Sequence, residues 1–215
     1  MAAEKQNVLI LAPHPDDEVL GCGGTICNHT ARGDRAVVVF LTSGELGLKH
    51  LPHGKAWQIR ETEAQAAARI LKLSALKFLR LPDWTSSEHV AKGARLLRPV
   101  LQAERPRIIY LPHPREWHPD HQAALPILRA ALRGSRLRLP ELRGYEVWTP
   151  LAEYDRVENI TAAWPRKLRA LQAHRSQLDE FDYERAVAGL SQFRGELAAR
   201  CRYAEVFQTL LPKAR

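Results

Sequence analysis

The chain has 215 residues, 45% of them apolar and 26% charged, with a formal net charge of +8. That length suits one sizeable core and is short for two, and no stretch approaches the roughly 20 consecutive apolar residues of a membrane span. A single domain over residues 1–215, without a transmembrane segment, is therefore expected.

The apolar run near the N-terminus is interrupted by His14 and Asp16, which leaves it shorter than the ~7 to 15 residue core of a secretory signal. Cys22, Cys27 and Cys201 cannot all pair, so reduced thiols and a cytoplasmic location are expected. The arginines are dispersed (Arg129, Arg133, Arg136, Arg138, Arg143, then Arg194, Arg200 and Arg202) and lack aromatic interleaving. They read as a solvated basic surface that can attract anionic substrates, and no nucleic-acid partner is expected.

In chain order, strands and helices alternate over residues 1–150. Val8–Ala12 is an apolar run suited to a buried strand, and Glu18–Arg32 reads as a helix that stops at Gly33. Ala36–Thr42 is a β-branched strand. After a loop containing Gly44, Gly47, Pro52 and Gly54, the stretch Trp57–Leu73 carries Ile59, Ala66, Ala67, Ile70 and Leu73 at helical spacing. Leu76–Leu81 predicts a third strand and His89–Glu104 a helix that Pro99 kinks or divides. Ile108–Leu111 follows as a fourth strand, His121–Leu132 as a helix and Tyr145–Thr149 as a fifth strand. Residues 151–215 read as a mostly helical extension, from Trp164 to Tyr203. Gly21, Gly23 and Gly24 fall inside the first helix, and neither GxGxxG nor GxxxxGK[ST] is present. Close helix-to-sheet packing accounts for these glycines better than phosphate binding does.

Such alternation implies an α/β fold, a doubly wound and mainly parallel sheet with helices on both faces and right-handed crossovers. Ligands of such sheets bind beyond the carboxyl ends of the strands, where the strand order reverses. With the order 3-2-1-4-5, strands one and four flank that point. Strand one runs into PHPDDE (13–18) and strand four into PHPREWHPDHQ (112–122), so two loops rich in His and Asp should meet there.

Histidine and aspartate are nitrogen and oxygen ligands that suit zinc, and a catalytic zinc generally takes three protein ligands and leaves a position open. Iron(II) fits the same kind of open site. His14 and Asp17, three apart, can converge on one ion from the turn. His118 and His121, also three apart, are alternatives for the third ligand, and spacing does not choose between them. Asp16 and the remaining histidine would then supply a base for water and a donor for the oxyanion and leaving group. Trp117, in the same loop, offers an aromatic wall for a sugar ring.

APHPDDE and HPDH, together with TSGE at 42–45 and RETEA at 60–64, resemble the LmbE-like (PIG-L-like) family of zinc-dependent deacetylases, which remove acetyl from N-acetylglucosamine conjugates. The resemblance spans the Rossmann-like part of the chain and continues weakly through HRSQ (174–177) and YAEVF (203–207). It implies His14, Asp17 and His121 as zinc ligands and Asp16 as general base. It further implies His118 as the group facing the oxyanion, Asp120 as the carboxylate that orients and charges His118, and Arg60 as a substrate contact. One departure is Pro13, which precedes His14 where the family reads A-H-P-D-D.

The function implied is release of acetate and a free amine from a small N-acetylated amino sugar. The alternative is a metal-dependent amidase acting on another acyl group or on a thiol-sugar conjugate. A nucleotide-binding module, from a different class, lacks its glycine fingerprint here. The aglycone and the oligomeric state are not specified by these residues.

Overall fold

The computed structural model describes residues 5–210; the two ends of the domain expected over 1–215 lie outside them. The strands are β1 (Asn7–Ala12), β2 (Arg35–Phe40), β3 (Ala75–Phe78), β4 (Ile108–Pro112), β5 (Glu141–Tyr145), β6 (Arg156–Asn159) and β7 (Ala204–Leu210). They form a seven-stranded sheet in the order β3-β2-β1-β4-β5-β7-β6. The β1–β2, β1–β4, β2–β3 and β4–β5 pairs are parallel, whereas β7 runs antiparallel to both β5 and β6. The helices are α1 (Asp17–Ala31), α2 (His53–Leu71), α3 (Val90–Glu104), α4 (Pro119–Leu132), α5 (Trp164–Leu171), α6 (Arg175–Leu178) and α7 (Tyr183–Arg194). Among the described residues, no helix is long and apolar enough to cross a membrane.

Side chains alternate across the pleat of each strand. Val8, Ile10 and Ala12 of β1 join Val38 and Phe40 of β2 in a core with Ile26 of α1 and Ala64, Ala67 and Leu71 of α2. Leu9 and Leu11 point the other way, into a core with Leu97 and Leu101 of α3 and Ile127 and Leu128 of α4. Both faces of the sheet are thus covered, as the near-continuous apolar runs require.

Two expectations are corrected. The fifth strand is Glu141–Tyr145, not Tyr145–Thr149, and the C-terminal region is less helical than expected, because it contributes β6 and β7. Of the two outcomes expected at Pro99, division is ruled out, since α3 runs through it as one element; Pro99 and Arg95, whose carbonyl the ring deprives of a donor, are both exposed, so water can take the carbonyl's bond.

The glycines of α1 do serve packing. An added Cβ at Gly21 would stand 2.3 Å from the Tyr145 ring, and one at Gly24 would stand 2.6 Å from Ile160. At Cys22 the helix loses its regular geometry (φ −147°, ψ 21°). Groups around that break are met by a buried ion pair: Glu205 accepts from the Gly24 and Thr25 N–H groups, both at 2.8 Å, and from Lys167 Nζ at 2.7 Å. Lys167 also donates to the Leu20 carbonyl at 3.0 Å.

Candidate active site

β1 and β4 are neighbours, and their following loops leave the same sheet edge. The first loop stays paired with the chain after β2, since Pro13 accepts the Thr42 N–H at 3.0 Å and its hydroxyl at 3.1 Å. Pro13 thus serves as an acceptor on that side, where its missing N–H is not needed. The turn then starts α1 at Asp17, and the second loop starts α4 with His118 as its N-cap.

Asp17 Oδ2 lies 3.2 Å from His14 Nδ1 and 3.2 Å from His121 Nε2. Neither ring nitrogen of the buried His121 makes a hydrogen bond within the protein. The approach of His121 to Asp17 without a hydrogen bond is what ligands of a common cation show, and an orphaned buried imidazole otherwise costs desolvation energy. His14, His118 and His121 each bring a ligand atom within 4.8 Å of the others, as do His14, Asp83 and Asp120. The donor set of imidazoles and carboxylates therefore fits zinc or iron(II).

His118 differs from the other two histidines. Its Nδ1 accepts the Asp120 N–H at 3.2 Å, which leaves the proton on Nε2. Burial, followed by His14 and His121, brings its pKa down to about 4. Asp120 and Asp17 pull the other way, toward the charged ring that the sequence reading expects.

Asp120 makes its side-chain hydrogen bonds elsewhere than at the His118 ring, while its charge still favours the protonated ring; Oδ2 lies 3.1 Å from His14 Nε2 and accepts the Trp84 N–H at 2.7 Å, and Oδ1 accepts the Ser86 N–H at 2.9 Å. Burial disfavours a charged His14, but Asp120, Asp17 and Asp83 outweigh it and hold its pKa well above the usual value. His14 and His121 draw Asp17 far down despite its burial.

Asp16 sits at φ 130°, ψ −31°, outside the ordinary regions for an L residue; such strain costs on the order of 1–3 kcal/mol and clusters at active sites. Burial raises its carboxyl to about 6 against the pull of Arg60. Arg60 is 3% exposed and donates to Asp16 Oδ2 (3.2 Å), the Pro15 carbonyl (2.6 Å) and the Gly44 carbonyl (3.2 Å). Gly44, at φ 63°, makes room: a Cβ there would stand 2.9 Å from the guanidinium carbon. The TSGE and RETEA stretches thus come together around Asp16, with Arg60 engaged by the protein itself.

The family model described as GlcNAc-PI de-N-acetylase (PIG-L) matches residues 9–132, more than half of the chain. The chain belongs to the PIG-L family. A Bacillus cereus protein named "Probable N-acetyl-alpha-D-glucosaminyl L-malate deacetylase 2" is 30% identical, over 81% of this chain and 85% of its own. Diacetylchitobiose deacetylase of Thermococcus kodakarensis is 33% identical over 55% of this chain and 46% of its own. The crystal structure of the conserved protein TT1542 from Thermus thermophilus superposes with a TM-score of 0.82 at 32% identity, covering 98% of this chain and 97% of that one. This PIG-L chain is accordingly an enzyme, a metal-dependent deacetylase that hydrolyses an amide.

Two acids of this PIG-L site escaped the sequence. Asp83 Oδ1 lies 3.1 Å from His14 Nε2, and its one signal is an acid just past the third strand. Glu116 is wholly buried; Oε1 accepts the Val147, Trp148 and Thr149 N–H groups at 2.7, 3.1 and 3.2 Å, and Oε2 stands 3.7 Å from His121 Nδ1. Trp84 was missed too, its ring centroid 4.5 Å from His118. Trp117 is 55% exposed, with its centroid 5.4 Å from His118, 6.3 Å from Trp84 and 6.2 Å from Trp148.

Proposed function

We propose that this PIG-L enzyme acts as one domain that removes acetyl from an N-acetylglucosamine-type conjugate, with His14, Asp17 and His121 holding zinc, or iron(II) in its place. The carrying observation is the meeting of His14 Nδ1 and His121 Nε2 at Asp17 Oδ2 beside the strained, buried Asp16. His121 is preferred to His118 as third ligand because His118 Nδ1 is already committed to the Asp120 N–H. The acetylated glucosamine substrates in the names of the relatives support the sugar class, and the three free cysteines support a cytoplasmic setting.

When bound, the metal supplies a Lewis acid that polarises the amide carbonyl and makes water acidic near pH 7. Asp16 takes a proton from the attacking water. His118 Nε2–H donates to the carbonyl oxygen as charge develops there. The proton on Asp16 then passes to the nitrogen as the C–N bond breaks, giving acetate and a free amine. Trp117 walls the sugar.

The test is amine release from N-acetylated amino sugars by the zinc-loaded enzyme and by Asp16→Asn. Loss of turnover in the variant at unchanged metal content supports Asp16 as base; equal turnover removes it.

A further inference from the structure

The proposed reaction uses the Asp16 carboxylate but leaves two buried groups behind it without a task. The Asp16 N–H donates to Glu18 Oε2 at 3.0 Å. Glu18 is fully buried, and its other oxygen, Oε1, makes no hydrogen bond but faces His174 Nε2 at 3.6 Å. His174 is also fully buried, and neither of its ring nitrogens is hydrogen-bonded within the protein.

A carboxylate reaching back to the N–H at a helix start satisfies a donor left without a helical partner, and alone it would only start α1. The imidazole behind it belongs to no cap, and burying it unbonded is costly. Its segment is fixed from a second side: the Ser176 N–H and hydroxyl donate to the Glu63 carboxylate at 2.8 and 2.7 Å. Glu63 lies nearly one turn beyond Arg60 on α2, and Arg60 grips the Asp16 carboxylate. The RETEA and HRSQ stretches are thereby one scaffold closed around Asp16.

We propose that Glu18 and His174 are positioning residues that hold Asp16 in its strained conformation, Glu18 through the Asp16 N–H and His174 by aiming Glu18. This inference rests on Asp16 being the general base. Arg60 holds the carboxylate end of Asp16, Glu18 holds its backbone, and His174 ties that clamp to the C-terminal region.

The test compares zinc-loaded wild type with Glu18→Ala, Glu18→Gln, His174→Ala and the double alanine variant. It reads kcat and KM on an N-acetylglucosamine conjugate, metal content, and site-resolved hydrogen exchange of the Asp16 amide. Glu18→Ala should lose about 100-fold in kcat with KM and metal content unchanged, the size of effect expected when a reacting group is misplaced by about 1 Å. Its Asp16 amide should exchange at least about ten times faster. Glu18→Gln keeps an acceptor and should recover most of both.

His174→Ala should lower kcat by roughly ten-fold, and the double variant should be no slower than Glu18→Ala, since both act through one contact. Full kcat in Glu18→Ala, unchanged Asp16 exchange, or multiplying losses in the double variant would overturn the clamp. If Glu18→Ala does not fold, exchange in His174→Ala decides: acceleration at Asp16 supports the clamp, and no change overturns it. Exchange needs no substrate, so a wrong substrate class would show as an inactive wild type with accelerated exchange in the variants.

Discussion

Asp120 Oδ2 lies 3.1 Å from His14 Nε2, on the ring nitrogen opposite the one that faces Asp17. A carboxylate behind a ligating histidine fixes its tautomer and orientation, and its loss typically costs 10–100-fold in metal affinity. Asp120→Asn should therefore lose zinc to a competing chelator at roughly 10–100-fold lower chelator concentration, and excess zinc should restore much of its activity. An effect on turnover alone, at wild-type affinity, would return Asp120 to His118.

Removal of the metal should inactivate the enzyme and also loosen it. Asp17, Asp83 and Asp120 are all buried around His14, a surplus of negative charge that a cation offsets. Zinc at about 1,000 times its Kd should add about 4 kcal/mol of stability by mass action, seen as a higher Tm than in chelator-treated protein. Equal melting with and without zinc would contradict a metal at this cluster.

Arg60 has three acceptors, Asp16 and two loop carbonyls. A lysine cannot reproduce that fork, so Arg60→Lys should lower kcat by about 100-fold while leaving KM nearly unchanged. A rise in KM at constant kcat would instead mark the direct substrate contact implied by the resemblance.

Glu205 and Lys167 hold the broken α1 together. Glu205→Ala strands a buried ammonium and two backbone N–H groups, and should cost about 3–5 kcal/mol in urea denaturation. Replacing Lys167 by Met together with Glu205 by Gln should cost less than that, because no lone charge is left buried. Equal losses in the two would show that the pair is not coupled.

Much of the site was legible because the α/β alternation carries two dissimilar loops to one sheet edge. His14, Asp16, Asp17, His118 and His121 could be named once β1 and β4 were taken as neighbours, and Asp120 through the family resemblance. What stayed hidden depends on contacts between distant segments. Asp83 and Glu116 are single acids whose partners lie on other loops. YEVWT looks more strand-like than ELRGY, yet Glu116 takes the N–H groups of Val147, Trp148 and Thr149 for itself. The strand is therefore the half-polar stretch before it. β6 is a short and largely exposed edge strand, and β7 pairs antiparallel with β5, so neither follows from the βα rhythm.

The most direct measurement is release of free amine from a panel of N-acetylglucosamine compounds by zinc-loaded protein, with Asp16→Asn alongside. Turnover of at least one compound by the wild type, lost in the variant at equal zinc content, is the predicted result. Bound zinc with no amine released from any compound, or equal release by both proteins, would contradict the account.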